Sequence, residues 1–290
     1  MGAEANVILQ VLISTYGEEG IRRVAAASHP RAGGVEYIVS WQDSDGVEVP
    51  RSLVRDDFRI FRTVTKGLSK NRNNALSRVS APLALISDDD VDFSVSGLTC
   101  VIRSFCENKD ADIITFRYAS ESSAKRYPAA SFSLSDPPKG YFVSSIEIAF
   151  RTDSVRGKLW FNENFGIGGT FAAGEEDIFI KDALDKGLKG IFIPEVIVRH
   201  DSPTTSEKSL RSASRPMAKG AVFLRLHPLT WPLRMLVHAK REFPRWLGGE
   251  VPSPVRYCAG WIKGAMMAGK LKVFPTPDYK DKYPADEFWE

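Results

Sequence analysis

An α/β domain on a mixed, mainly parallel sheet flanked by helices, followed by a basic helical C-terminal extension, is the architecture this sequence predicts. Three observations carry the expectation. From Val7 to Ile193 short β-branched runs alternate with helix-patterned stretches, the cadence of βαβ units around a covered sheet. With 290 residues the chain exceeds the usual size of a single core, so a large domain plus an appendage is expected. Charge divides the same way: Arg211 to Lys272 holds 12 Lys and Arg against Glu242 and Glu250, a balance of +10 that leaves −7 elsewhere.

Taken in order, Val7 to Ser14 is a short apolar run and reads as the first strand, with a helix near Glu18 to Ala27 behind it. Glu36 to Trp41 (EYIVSW) and Arg59 to Val64 (RIFRTV) are the next strands, each rich in β-branched and aromatic residues. A helix near Ser69 to Val79 precedes the strand Leu83 to Ser87, and a helix near Ser94 to Glu107 precedes the strand Asp112 to Tyr118. Strands Ile146 to Arg151 and Leu188 to Ile193 flank a helix from about Glu175 to Lys186. In open sheets of this kind ligands bind beyond the carboxyl ends of the strands, so residues just after each run carry the functional expectation.

Composition excludes several classes. At 43% hydrophobic and 26% charged residues the chain is neither collagen-like, coiled-coil nor wholly disordered. Cys100, Cys106 and Cys258 form no CxxC pair, which leaves neither a disulfide framework nor a zinc pattern and suits a reducing cytosol. The N-terminal run lacks the basic flank and small-residue cleavage site of a signal peptide. Arg225, His227 and Arg234 interrupt the best spanning segment, so no membrane-crossing helix is expected. A polar stretch, Thr204 to Ser214, marks the division between residues 1–205 and 206–290.

Four constellations fall at strand ends. Asp88, Asp89 and Asp90 follow LALIS directly, with Asp92 beyond. Such carboxylates repel unless compensated, and they suit Mg or Mn bound with phosphates. They equally suit the N-terminus of the helix near Ser94. LISTYG (Leu12 to Gly17) and VSWQDSDG (Val39 to Gly46) offer small polar groups to a nucleotide, with Gln42 or Asp43 at a base edge, although turn chemistry explains them as well. Neither a Walker A loop nor GxGxxG is present, which disfavours a P-loop NTPase or a dinucleotide-binding enzyme.

GLSKNRNNAL (Gly67 to Leu76) places Lys70, Arg72 and Asn residues near a helix N-terminus, a setting for a diphosphate or for an ordinary solvated face. FGIGGTFAAGEEDIFI (Phe165 to Ile180) brings Glu175, Glu176 and Asp177 into a first helical turn, and IPEVIVRH ends on His200. These acids also serve as dipole partners. Successive helical residues diverge by about 100°, so one of the three faces any given site. His200 suits a metal or a simple hydrogen bond.

In this order, LISTYG, the SKNRNNAL helix, the ISDDDV strand end and the FGIGG...GEED...IPEVIVRH block resemble a family 2 glycosyltransferase of the bacterial surface-polysaccharide type over Asn6 to Ser202. The resemblance implies the GT-A nucleotide-diphospho-sugar transferase fold and an inverting transfer, dependent on Mn or Mg, from a nucleotide-sugar donor, UDP-sugar favoured. The acceptor would be a saccharide or lipid-linked saccharide. It gives Thr15, Tyr16 and Gln42 or Asp43 to the nucleotide pocket and Lys70, Arg72 and Asn73 to nucleoside or diphosphate. Asp88 or Asp89 would face ribose and donor sugar, Asp90 would hold the metal, and His200 would complete its coordination. Gly168 and Gly169 would contact donor or acceptor sugar, and the acids from Glu175 would supply the base. Two departures stand out: WQDSDG replaces the usual Asp-Asp-Gly-Ser turn, and three acids run together. Gly174 as anchor selects Glu176, the Glu-Asp pair selects Asp177, and Asp177 is preferred.

A nucleotidylyltransferase is the rival enzyme, but LISTYG lacks the glycine- and basic-rich loop of that class. A catalytically silent sugar-nucleotide or membrane-surface binding module is the other alternative, against which the acidic triplet argues. In the extension, Arg234, His238, Arg241 and Arg245 share one helical face with Leu233, Leu236, Val237 and Phe243 largely opposite, and Arg256, Lys263 and Lys270 recur every seven residues. This pattern suits an anionic membrane surface with Trp231, Trp246 and Trp261 at the interface, hence a cytoplasmic protein peripheral on the inner face of the cell membrane. The same helices could pack on the domain, apolar face inward. Nucleic acid is not expected as a partner, since no binding module is present.

Overall fold

The computed structural model describes residues 7–121, 125–201, 214–247 and 254–284. Its centre is β1 (Leu9–Tyr16), whose Val11 and Ile13 enter one core while Leu12 enters the other, as an interior strand covered on both faces requires. β2 (Val35–Gln42) and β3 (Phe58–Thr63) extend the sheet in parallel on one side, and β4 (Leu83–Asp88) pairs in parallel on the other. β8 (Ile148–Arg151) is reversed between β4 and β6 (Ile113–Ala119), and β9 (Gly190–Arg199) runs parallel to β6. Two short edge strands, β5 (Asp92–Phe93) and β7 (Phe132–Ser133), pair antiparallel with β9. The order is therefore β3-β2-β1-β4-β8-β6-β9-β5, and the chain leaves β1 toward β2 but returns on its opposite side at β4. That reversal opens a crevice at the carboxyl ends of β1 and β4.

Around the sheet lie α1 (Gly17–Ala26), α2 (Leu68–Ser77), α3 (Val95–Glu107), the short α4 (Thr152–Val155) and α5 (Glu175–Asp185). β9 runs six residues beyond the expected Ile193. Pro194, which lacks an N–H, falls where the β6 pairing shifts register after Thr115, so the strand resumes past a bulge rather than ending. That continuation carries His200 to the end of β9, where its N–H meets the Ala119 carbonyl at 2.9 Å.

Three helices follow: α6 (Ser214–Leu226), α7 (Trp231–Leu247) and α8 (Pro254–Leu271). α6 and α8 approach closely because Gly220 faces the Trp261 carbonyl and Gly264 the Met217 carbonyl, where an added Cβ would lie 1.9 Å away. Ala218, Ala221 and Val222 of α6 share a core with Phe165, Phe171 and Ile178. Beyond α8 the tail folds back: Asn162 donates to the Val273 carbonyl at 2.7 Å, and Tyr283 to Glu163 at 2.7 Å. Packing thus crosses the change of charge between the body and the extension, while most of the polar stretch from Thr204 lies outside the described residues. The expectation of Trp261 at a lipid interface is overturned, since it is 1% exposed between α6, α7 and α8. Trp231 is half-buried in the same cluster, and the side chains of Arg241, Phe243, Arg245 and Trp246 lie outside those described.

Candidate active site

Three adjacent carboxylates at the end of β4 meet three different fates. Asp88 accepts from Arg72 at 2.9 Å and from the Ser145 hydroxyl at 3.1 Å, yet keeps 37% of its side chain exposed. Asp89 is only 13% exposed, forked by Arg23 with two bonds of 2.9 Å and joined by the Thr15 hydroxyl at 2.8 Å. Gly20 makes this convergence possible, because a Cβ there would stand 2.3 Å from the Thr15 hydroxyl. Burial nevertheless raises the Asp89 carboxyl above its ordinary value. Asp90 Oδ1 lies 3.1 Å from His200 Nε2, and this carboxylate raises the His200 imidazole.

An oxygen and an imidazole nitrogen on two strand ends form a donor set that fits Mn or Mg. Such ions are commonly held by one or two protein groups together with substrate phosphates. Among the described residues no group of three or more His, Cys, Asp or Glu is arranged to hold a metal.

Arg72 links this strand end to the first turn of α5. It is 2% exposed, donates to Asp88 and to Glu175 at 2.9 Å each, and lies 3.5 Å from Glu176. Its guanidinium also sits over the Phe161 ring. The guanidinium expected at the diphosphate is thus buried and bonded to two carboxylates, Asp88 and Glu175. Glu175 is correspondingly buried, with Oε2 lacking a partner among the described residues. Glu176 is recessed but 19% exposed, and burial beside Glu175 holds its carboxyl well above the usual range. Asp177 is pushed up to about 6 by burial, against which Lys219 of α6 and Lys125 act as lowering charges.

The other expected residues separate into pocket and scaffold. Tyr16 is exposed at the end of β1, its phenol raised by a hydrogen bond to Asp43, which itself adopts a left-handed backbone (φ 54°). Gln42 is buried and donates to Thr65 at 3.0 Å and to the Gly67 carbonyl at 3.2 Å, so it fixes the approach to α2. Asn73 is turned away from the crevice: its amide donates to the Phe161 carbonyl at 2.9 Å and its oxygen accepts from the Phe161 N–H at 2.8 Å. Lys70 is half-buried on the first turn of α2. Gly168 (φ 84°) and Gly169 are required by close packing, since added Cβ atoms would meet Gly67 Cα at 2.9 Å and the Asn164 carbonyl at 2.8 Å.

Sequence reasoning passed over a second buried cluster beside the site. Glu147 is fully buried and accepts from Lys125 at 2.6 Å, from the Ser144 N–H at 2.9 Å and from the Tyr127 hydroxyl. Its neighbour Ser145 is the residue that grips Asp88. The signal was present as an acid inside the apolar run IEIAF. Arg23, which neutralises Asp89, gave none, because its partner lies 66 residues away.

Residues 11–182 match the model of the family described as glycosyl transferase family 2. Among curated proteins no sequence relative matches. Of solved structures, S. aureus TarS 1-349 in complex with UDP-GlcNAc superposes with a TM-score of 0.55 at 15% identity, over 76% of this chain and 66% of that one. TarS 1-349 alone gives 0.54 at 15% identity over 76% and 65%, so the chain spans just under two thirds of these relatives' length. The mannosyltransferase PcManGT from Pyrobaculum calidifontis, in complex with GDP-Man and Mn2+, gives 0.52 at 12% identity over 92% and 76%. At these identities the likeness establishes the fold, a GT-A-like mixed sheet flanked by helices.

Proposed function

We propose that this chain, which belongs to glycosyl transferase family 2, moves sugar from a nucleotide-sugar by a metal-dependent, inverting transfer, from a UDP-sugar to a saccharide or lipid-linked saccharide at the inner face of the cell membrane. The observation that supports this reading is the pairing, through Arg72, of a partly exposed carboxylate at the end of β4 with the acids opening α5. Donor contacts fall to Tyr16, Asp43 and Asp88. A divalent ion held by Asp90 and His200 would offset charge on the departing diphosphate.

The chain's own residues supply the rest. Asp177 takes the proton of the acceptor hydroxyl while that oxygen forms its bond to the anomeric carbon from the face opposite the diphosphate. The bond from carbon to diphosphate oxygen breaks, the electron pair leaves with the diphosphate, and the anomeric centre inverts. A carboxyl near 6 suits this task, being ionised at neutral pH yet basic enough to accept a proton. Glu175, buried against Arg72, is assigned to holding the turn rather than to proton transfer.

Calorimetric titration of UDP, GDP, CDP and dTDP, with and without Mn, tests the proposal in wild type and Asp90→Ala. Metal-dependent binding of UDP, lost in the variant, is expected. Preference for another nucleotide would revise the donor, and absence of all binding would remove the transferase reading.

A further inference from the structure

We infer that the outward face of α7 and α8 docks on an anionic lipid bilayer through aliphatic side chains ringed by basic ones. The inference rests on the extension's surface and is independent of the transferase chemistry. On α7, Leu233, Leu236 and Val237 point outward, and on α8 so do Val255, Ile262 and Met266, with exposures between 48% and 77%. The inward faces are already occupied. Met235, His238 and Ala239 of α7 pack against Tyr257 and Trp261 of α8 and Phe223 of α6. The exposed residues are therefore not an unused core but a second apolar face on the same two helices.

Val255, Ile262 and Met266 recur at seven and four residues, one stripe of a helix, and Arg256, Lys263 and Lys270 run beside them at intervals of seven. Lys240 lies among the leucines of α7 and Arg234 at their edge. Charge complementarity chooses the occupant. A second copy would set one strongly basic face against another, and a nucleic acid would leave the aliphatic residues in water. An anionic bilayer satisfies both sets of groups, receiving the aliphatic residues at the acyl boundary and the ammonium and guanidinium groups among its phosphates. No helix among the described residues is long and apolar enough to cross a membrane, so the face would lie in the interface.

The test is co-sedimentation of the full chain with vesicles of phosphatidylcholine alone or with phosphatidylglycerol added. Binding to the anionic vesicles only, weakened by salt, is expected. Leu233→Ser/Leu236→Ser/Met266→Ser should abolish it while circular dichroism and thermal unfolding stay as in wild type, since those side chains make no core. At about 1 kcal/mol per basic residue near such a surface, Lys263→Glu/Lys270→Glu should weaken partitioning by a factor of roughly 30 or more. Failure to bind anionic vesicles, or binding unchanged in the folded leucine variant, would overturn the proposal. So would a dimer in sedimentation velocity that the same variant dissociates, because the face would then belong to a second copy.

Discussion

Replacing Arg72 with Met should destabilise the protein more than any change to the acids around it, and the structure gives the size. The guanidinium makes two charge-assisted bonds of 2.9 Å while 2% exposed. Those bonds alone are worth about 1.5–3 kcal/mol each. The larger effect is that Glu175, itself buried, loses its ion-pair partner. Removing one partner of a buried pair costs about 3–5 kcal/mol, whereas removing both can be close to neutral. Arg72→Met/Glu175→Gln should therefore recover part of the loss, with a coupling of about 1–3 kcal/mol. Arg72→Lys should fall between, because one ammonium cannot fork toward Asp88 and Glu175 together. Urea unfolding followed by tryptophan fluorescence reads wild type, these three variants and Glu175→Gln, the second single variant that the coupling requires. Arg72→Met within about 1 kcal/mol of wild type, or a double variant no more stable than the single, would refute the bridging role.

Asp177→Asn should lower kcat by about 10²–10⁴-fold with nucleotide Kd unchanged, and Glu176→Gln should lower it far less; equal losses would move the base to Glu176 or to both. The folded Asp177 carboxyl, raised to about 6, holds its proton more tightly than an unfolded one near 3.8. Ionising it therefore costs folding stability as pH rises between those values, and Asp177→Asn should melt above wild type at pH 7 but not at pH 3. As a base it works only when ionised, so kcat should fall about tenfold per pH unit below 6 and level above it. The charged groups facing it are Lys219 from α6, Lys125, and Glu175 from its own helix. Lys219→Met should move that limb to higher pH, an effect a purely structural loss would not produce. Gly174→Ala combines a left-handed backbone (φ 94°) with a Cβ 2.4 Å from Val222 and should cost about 2–4 kcal/mol. Gly187→Ala, equally left-handed but open, should cost only about 1–2 kcal/mol in the same thermal melt.

What could be read from the sequence was what is local. Strand runs, the acids after LALIS and the acids opening α5 all announce themselves within a few residues, whereas the sheet order, with β8 reversed between β4 and β6, is set by pairings between distant segments. α2 misleads, because Ser69, Asn71, Arg72, Asn73, Asn74 and Ser77 are all buried. Their polarity suggests a solvated face, but all except Ser77, which bonds the Asn74 carbonyl of its own helix, bond groups of distant segments: Asn71 holds the Thr15 carbonyl, Asn74 the Ser40 hydroxyl and Ser69 the Phe165 carbonyl. Composition records that a side chain is polar, and only the fold shows that its partner is inside. His238 misleads the same way on α7, since it shares a periodic face with Arg234 yet packs edge-on to Phe223 and tilted against Trp261.

The loop from Phe165 to Gly174 joins body and extension. On one side it is bound to α2: the Leu68 N–H donates to the Ile167 carbonyl at 2.8 Å, and Gly168 lies against Gly67. On the other, Phe165 and Phe171 are covered by α6 and the tail. Arg225 of α6 and Thr276 of the tail both bond Asp182, on the helix that carries Glu176 and Asp177. The acids proposed for proton transfer are thus set from two directions, by Arg72 of the acidic body and by a helix of the basic extension. The helix that carries them therefore requires both the acidic body and the basic extension to be in place.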